Sequence, residues 1–402
     1  MKILVINCGS SSVKYQLFEM PAEGLLAKGI VEKIGEGTST VRHATGGKEV
    51  RYDAPIPDHE QAFHHIRRAL MAPSDGVLRS PDDLDAIGHR VVHGGEAFVQ
   101  STLINDEVIA TLEEYSALAP LHNPPNLVGI RSAARAFPGK PHIAVFDTAF
   151  HQTMPRHSFV YALPYEFYER GRIRRYGFHG TSHRYVAARA AQLLDLAPDR
   201  FSGITCHLGN GCSMAAVANG RSVDTTMGLT PLEGLVMGTR SGDLDPAIIF
   251  HLARNEGMSL DAIDALLNKK SGLLGLSGLS NDCRALIEAA PSNPRARLAL
   301  DVFCYRIRKY IGAYLAVLGR ADAIVFTGGI GENGIVLRRQ ILEGLDALGI
   351  ELDAAANEIR AREATISKPT SRIRVLVVPT NEELMIARDT LAITQALKRG
   401  TP

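Results

Sequence analysis

Short apolar runs of strand length recur along the chain, separated by stretches in which apolar residues fall three and four apart. The runs are residues 3–7 in MKILVINCG, then DAIGHRVVHGG from Asp85, HIAVFDTAF from His142, GITCHLGNGCSMAAV from Gly203, DAIVFTGGIG from Asp322 and RVLVVPTNEEL from Arg374. Their alternation with helical periodicity predicts an α/β protein built on mostly parallel sheets with crossover helices. Residues 293–319 read as a long helix, with Arg306, Arg308 and Lys309 on its solvated face. Residues 35–60, rich in Gly, Thr and charge, read as a surface hairpin or loop excursion.

The pattern repeats itself. INCGSSSVK near the start and CHLGNGCSM near residue 207 both follow a strand and break at glycine, at Gly9 and Gly209. DAIGHRVVHGG and DAIVFTGGIG, in the same order, each close an apolar strand on a double glycine. Two ordered echoes point to duplication, hence two similar α/β domains facing each other across a cleft, where small ligands usually bind. With 402 residues, 45% of them hydrophobic, the chain also exceeds what a single core usually serves.

Charge and cysteine usage narrow the function. Forty-four basic side chains against forty-three acidic ones leave no field to draw in nucleic acid or an anionic membrane, so any anion site must be local. Five scattered cysteines without CxxC spacing, no signal-peptide pattern and no run of roughly 18 apolar residues predict a reducing, cytoplasmic setting.

Three loops carry phosphate-binding composition. In the opening stretch Gly9, Ser10, Ser11 and Ser12 offer N–H and hydroxyl groups without bulk, and Lys14 adds a positive charge. GxxxxGK[ST] spacing is absent and YQLFEM reads as strand, so the turn belongs to a hairpin; a serine-rich turn is also a common plain connection. HLGNG from His207 has glycines on both sides of Asn210, and TGGIGENG from Thr327 ends a strand and opens a helical pattern. Groups able to act on a phosphoryl centre stand at strand ends or glycine-flanked turns: Arg90, Asp147, His179, Arg240 and Glu382. Each also has an ordinary structural reading, as surface ion pair, satisfied histidine or first-turn acid. His89, His93, His122, His151 and His183 show no metal spacing, which argues against a zinc enzyme.

Taken in order, INCGSSSVK, GHRVVHGG, VFDTAFH, YGFHGTSH, ITCHLGNGCSMAAVANG, TRSGDLDP, TGGIGEN and PTNEEL resemble the motifs of the acetate kinase (acetokinase) family over essentially the whole chain. That family belongs with sugar kinases, chaperone ATPases and actin. The resemblance implies a duplicated ribonuclease-H-like fold, with domains at residues 1–149 plus 384–402 and 150–383. It implies ATP phosphates against His207, Leu208, Gly209, Asn210 and Gly211, with Lys14 nearby. Adenosine is expected on Asp282, Cys283 and Arg284 and on Gly329, Ile330, Gly331, Glu332 and Asn333. Asn7 and Glu382 match the residues that organise Mg²⁺, with Mn²⁺ as a substitute. Arg90 matches the residue that holds the substrate carboxylate, His179 and Arg240 those that stabilise the transferring phosphoryl group, and Asp147 the catalytic acid/base. Val92, Leu121, Phe178 and Pro231 match the pocket around the methyl group, His122 an active-site histidine, and the assembly is expected to be a homodimer. Acetate has a pKa near roughly 4.3 and is already ionised at pH 7, so Asp147 is expected to position a partner or metal-bound water rather than take a proton. Rival readings are a propionate kinase, which Val92 in place of a smaller residue disfavours, and a switch ATPase of the actin or chaperone kind.

Overall fold

The computed structural model describes residues 1–73, 76–120 and 122–400, apart from the side chain of Ala117. Two compact units emerge, residues 1–150 with 381–402 and residues 151–380. This division places Glu382 with the first unit, whereas the expected boundary at 384 would have placed it with the second.

The first unit is built on eight strands: β1 (Lys2–Cys8), β2 (Ser12–Glu19), β3 (Gly24–Glu32), β4 (Ser39–Thr45), β5 (Lys48–Ala54), β6 (Ala86–Val91), β7 (Thr102–Leu103) and β8 (His142–Phe146). They form one sheet in the order β5-β4-β3-β2-β1-β6-β8-β7. β1 runs antiparallel to β2 and parallel to β6, and β6 runs parallel to β8. A central strand covered on both faces needs apolar residues at every position, and Ile3, Leu4, Val5 and Ile6 are all buried. Leu4, Ile6 and Cys8 join a core with Phe63, Ile66 and Phe137. Those partners come from the helix His59–Leu70, capped by the Asp58 carboxylate on Gln61 N, and from the end of the helix Asn123–Ala136. The helix Glu382–Lys398 packs on β1 and β6. Gly88 permits its approach, because a Cβ there would meet Thr390 Oγ1 at 2.4 Å.

The second unit repeats the plan with β9 (Gly203–Leu208), β10 (Cys212–Ala218), β11 (Arg221–Thr225), β12 (Ala323–Thr327), β13 (Ala364–Thr365) and β14 (Arg374–Val377), ordered β11-β10-β9-β12-β14-β13. β3-β2-β1-β6-β8 and β11-β10-β9-β12-β14 share order and direction. This is the duplicated ribonuclease-H-like fold. Both echoes in the sequence fall on equivalent strands, and one device repeats with them. Asp85 enters β6 with its carboxylate accepting from Lys2 N at 2.9 Å, and Asp322 enters β12 with its carboxylate accepting from Ser202 N at 2.8 Å.

One expectation holds and one needs correction. Residues 35–60 do contain a hairpin at the surface, β4 and β5 pairing antiparallel at the sheet edge with β5 largely exposed, although Val41 of β4 is fully buried and a helix has begun by His59. Residues 293–319 do form a helix, Pro294–Leu318, yet Arg306 and Arg308 are not its solvated face. Arg306 Nη1 donates to Gly234 O (3.0 Å) and Asp243 O (3.2 Å), and Arg308 Nε donates to Ile341 O (3.1 Å). Their stems cross the helix surface to satisfy carbonyls on a neighbouring loop and at the end of the helix Ile335–Leu342; Lys309 is exposed.

Candidate active site

In the first unit the β1–β2 turn is closed by Gly9 N donating to Ser12 O at 2.8 Å, with Asn7 directly opposite Lys14 in the ladder. His59 Nε2 donates to Gly9 O at 2.8 Å and holds the turn from below. Lys14 is exposed and lines a groove of about 290 Å³ with Lys28, Arg42 and Glu383 among others.

Arg90, near the end of β6, meets Asp147, the first residue beyond β8. Nε donates to Asp147 Oδ1 at 3.0 Å and Nη2 to Oδ2 at 2.6 Å, a bidentate fork, while Glu382 Oε2 stands 3.9 Å from Nε. Burial works against the Arg90 charge, but the two carboxylates outweigh it and raise its pKa above the ordinary value. Burial drives the Glu382 carboxyl up to about 7, with Arg90 opposing. A guanidinium has five N–H groups. Asp147 occupies the Nε edge and leaves the Nη1 side able to receive a second carboxylate.

Two asparagines that sequence reasoning missed position this region. Asn126 Oδ1 accepts from Val92 N (3.0 Å) and its Nδ2 donates to Cys8 O (2.8 Å). Asn123 exchanges two bonds with the backbone of His93, at 3.1 and 3.0 Å. Both are buried in the first turns of the helix that His122 precedes. Val92 is buried at 8% exposure, and Leu121 lies outside the described residues.

In the second unit His179 sits at φ +55°, ψ +24°, a left-handed conformation costly for a residue with a Cβ, at the start of the helix Gly180–Leu193. The preceding carbonyl, Phe178 O, is held by His151 Nε2 at 3.1 Å. His179 stacks on His207 with ring centroids 4.3 Å apart. Arg240 donates to Pro231 O at 3.2 Å, and among the described residues no carboxylate pairs with it; burial lowers its pKa. Both side chains converge on the HLGNG turn: a Cβ on Gly211 would lie 3.6 Å from His179 Nε2 and 3.6 Å from Arg240 Nη1. Phe178 is buried and Pro231 partly so.

That turn, closed by Gly209 N donating to Gly211 O, opens onto a cavity of about 690 Å³. Gly209, Asn210, Asp282, Cys283, Arg284, Gly329, Ile330 and Asn333 line it, so three separately predicted segments meet there. Ile287, Glu288, Val336, Leu337 and Arg360 line it too and carry no motif by which a sequence reader would find them. His207, Leu208, Gly211, Gly331 and Glu332 are not on its wall. Glu332 turns inward instead, its Oε1 accepting from Gly328 N (2.9 Å) and Thr380 N (3.1 Å). Asp282 caps the helix Cys283–Ala289, and Arg284 on its carboxylate lowers its pKa; burial pushes the Cys283 thiol up to about 12, leaving it unreactive.

Comparison with known proteins fits this arrangement. Residues 2–388 match the model of the acetokinase family. The chain belongs to that family. It is 57% identical to an acetate kinase of Halothermothrix orenii, over 98% of this chain and the whole of that one. Among solved structures, an acetate kinase of Porphyromonas gingivalis superposes with a TM-score of 0.93 at 49% identity, covering 98% of this chain and 99% of the other. A propionate kinase of Francisella tularensis gives 0.91 at 43% identity, with 97% and 99% covered. Acetokinase-family membership thus agrees with the sequence reading and with a phosphotransferase function.

Proposed function

We propose that this acetokinase-family chain transfers the γ-phosphoryl group of ATP to acetate, giving acetyl phosphate and ADP. A carboxylate oxygen of acetate attacks the γ-phosphorus, the bond to the β,γ-bridging oxygen breaks, and its electrons leave with ADP. No proton has to move, because acetate is already ionised at pH 7. The observation that carries the reading is the convergence of His179 and an Arg240 without a carboxylate partner on Gly211, at the mouth of a nucleotide-sized cavity. Phosphoryl transfer requires positioning and neutralisation of charge on the equatorial oxygens, which those two groups supply. Arg90, steered by Asp147, receives the acetate carboxylate on its remaining N–H groups, and Val92 bounds the methyl group. Asp147 orients Arg90 and is not needed as a base.

Mg²⁺ suits the donors present. Asn7 and Glu382 offer hard oxygens, and although no cluster of three or more His, Cys, Asp or Glu able to hold a metal occurs among the described residues, Mg²⁺ commonly keeps waters and phosphate oxygens instead. When bound, it would neutralise phosphate charge. ATP phosphates rest on the HLGNG turn with Lys14 contributing charge, and the nucleoside fills the cavity. No helix among the described residues is long and apolar enough to cross a membrane, which accords with cytoplasmic placement; the assembly is a homodimer in this reading. ADP formation measured with and without acetate tests the proposal: it should depend on acetate and on Mg²⁺, whereas equal turnover without acetate would favour a switch ATPase. The structural likeness to a propionate kinase keeps one rival specific, and kcat/KM for acetate above that for propionate is the expected result.

A further inference from the structure

Behind His179 lies a chain of buried hydrogen bonds that the reaction as described does not use. His183 Nδ1 is 2.7 Å from Thr205 Oγ1, and its Nε2 is 2.8 Å from Ser213 Oγ. Ser213 Oγ is in turn 2.9 Å from His179 Nδ1. Thr205, His183 and Ser213 are fully buried. We propose that Thr205, His183 and Ser213 form a relay that fixes His179 as the tautomer protonated on Nε2, so that it presents an N–H to the transferring phosphoryl group.

The direction of the chain follows from counting protons. Burial, with His151 and His207 nearby, holds the His183 pKa well below its ordinary value, so the ring carries a single N–H. Suppose that proton is on Nδ1 and is given to Thr205. Ser213 must then donate to His183 Nε2, His179 must donate from Nδ1, and the Thr205 hydroxyl proton is left in the core with no acceptor among the described residues. An unmade buried donor is costly. Reversed, Thr205 donates to His183 Nδ1, His183 Nε2–H donates to Ser213, and Ser213 donates to His179 Nδ1. Every proton of the three buried residues then has an acceptor, and the proton of the partly exposed His179 ring lies on Nε2, the atom near Gly211. Thr205 and Ser213 are positioning residues, acting through His179.

The relay's part in catalysis rests on the proposed function; the tautomer does not. Long-range ¹H–¹⁵N correlation spectra of the histidine-labelled full chain, without substrates, should show both His179 and His183 protonated on Nε2, with His179→Gln and His183→Gln giving the assignments. Ser213→Ala should mix the His179 tautomers and lower kcat about tenfold while KM for ATP and acetate stays within about twofold. Thr205→Val should lower kcat less, and Thr205→Ser should restore it. A wild-type His179 protonated on Nδ1, or a Ser213→Ala variant with unchanged tautomer and kcat, overturns the relay. Wild-type protein inactive on acetate but with His179 protonated on Nε2 overturns the proposed function alone.

Discussion

Arg90 and Arg240 stand in opposite electrostatic conditions on two copies of one fold. Arg90 is forked onto Asp147 with Glu382 at 3.9 Å, and these carboxylates raise its pKa. Arg240 donates to Pro231 O and to the Met237 sulfur, has no carboxylate partner among the described residues, and burial lowers its pKa. The first is an aligned fork whose charge is already balanced, suited to orienting a small monoanion. The second is an unbalanced charge next to His179, suited to an anion whose charge is spread in the transition state. Duplication supplied the frame twice, and the carboxylates decide what each arginine does.

The largest effect should come from removing the unbalanced charge. Arg240→Ala is expected to lower kcat about 1000-fold. Thermal stability should hardly change, since no buried ion pair is broken, and steady-state kinetics with a melting curve check both. Arg90→Ala should reduce kcat/KM for acetate about 100-fold, mainly through KM. It should also destabilise the first unit by about 3 kcal/mol, because Asp147, with a side chain only 2% exposed, loses its counterion. Arg90→Ala combined with Asp147→Ala should recover most of that stability. If instead Arg240→Ala destabilised the protein and Arg90→Ala did not, the contrast between the two arginines would be wrong. Val92→Ala should raise the propionate-to-acetate ratio of kcat/KM about tenfold by enlarging the pocket next to the Arg90 strand.

A smaller effect concerns pH. His89 Nε2 and His142 Nδ1 lie 2.8 Å apart in the first unit; burial lowers the His142 pKa to about 4 and holds His89 well below its usual value. Both are neutral when folded, while unfolded they take up protons near pH 6.5. Their contribution to stability is therefore complete above about pH 6.5 and declines as pH falls below that value, at up to about 1.4 kcal/mol per pH unit for each histidine, and the His142 part is lost by about pH 4. Urea unfolding at pH 7 and 5.5, followed by circular dichroism because the chain has no tryptophan, should show the loss.

Legibility in the sequence followed the range of the interactions. Strands, hairpin turns and the two echoes are local patterns, and the Asp85 and Asp322 carboxylates that open β6 and β12 were already part of the second echo. Arg90 and Asp147 were both identified, since each interrupts an apolar run. Asn126 was not: it joins Val92 to Cys8 across 34 and 118 positions, and nothing local in NPPN signals a partner so distant. Glu332 lay inside a binding motif, but its carboxylate accepts from the backbone of its own loop at Gly328 and from the distant Thr380 N. Arg306 and Arg308 matched a solvated stripe by periodicity, and only the carbonyls of the loop 234–243 and of the end of the helix Ile335–Leu342 give them their work.

The most direct test of the chemistry is isotopic. With acetate labelled by ¹⁸O at both oxygens and unlabelled ATP, the account predicts acetyl phosphate that retains both labels and ADP that carries none, as attack by acetate on the γ-phosphorus requires. Label-free phosphate formed without acetyl phosphate, or AMP in place of ADP, would contradict it.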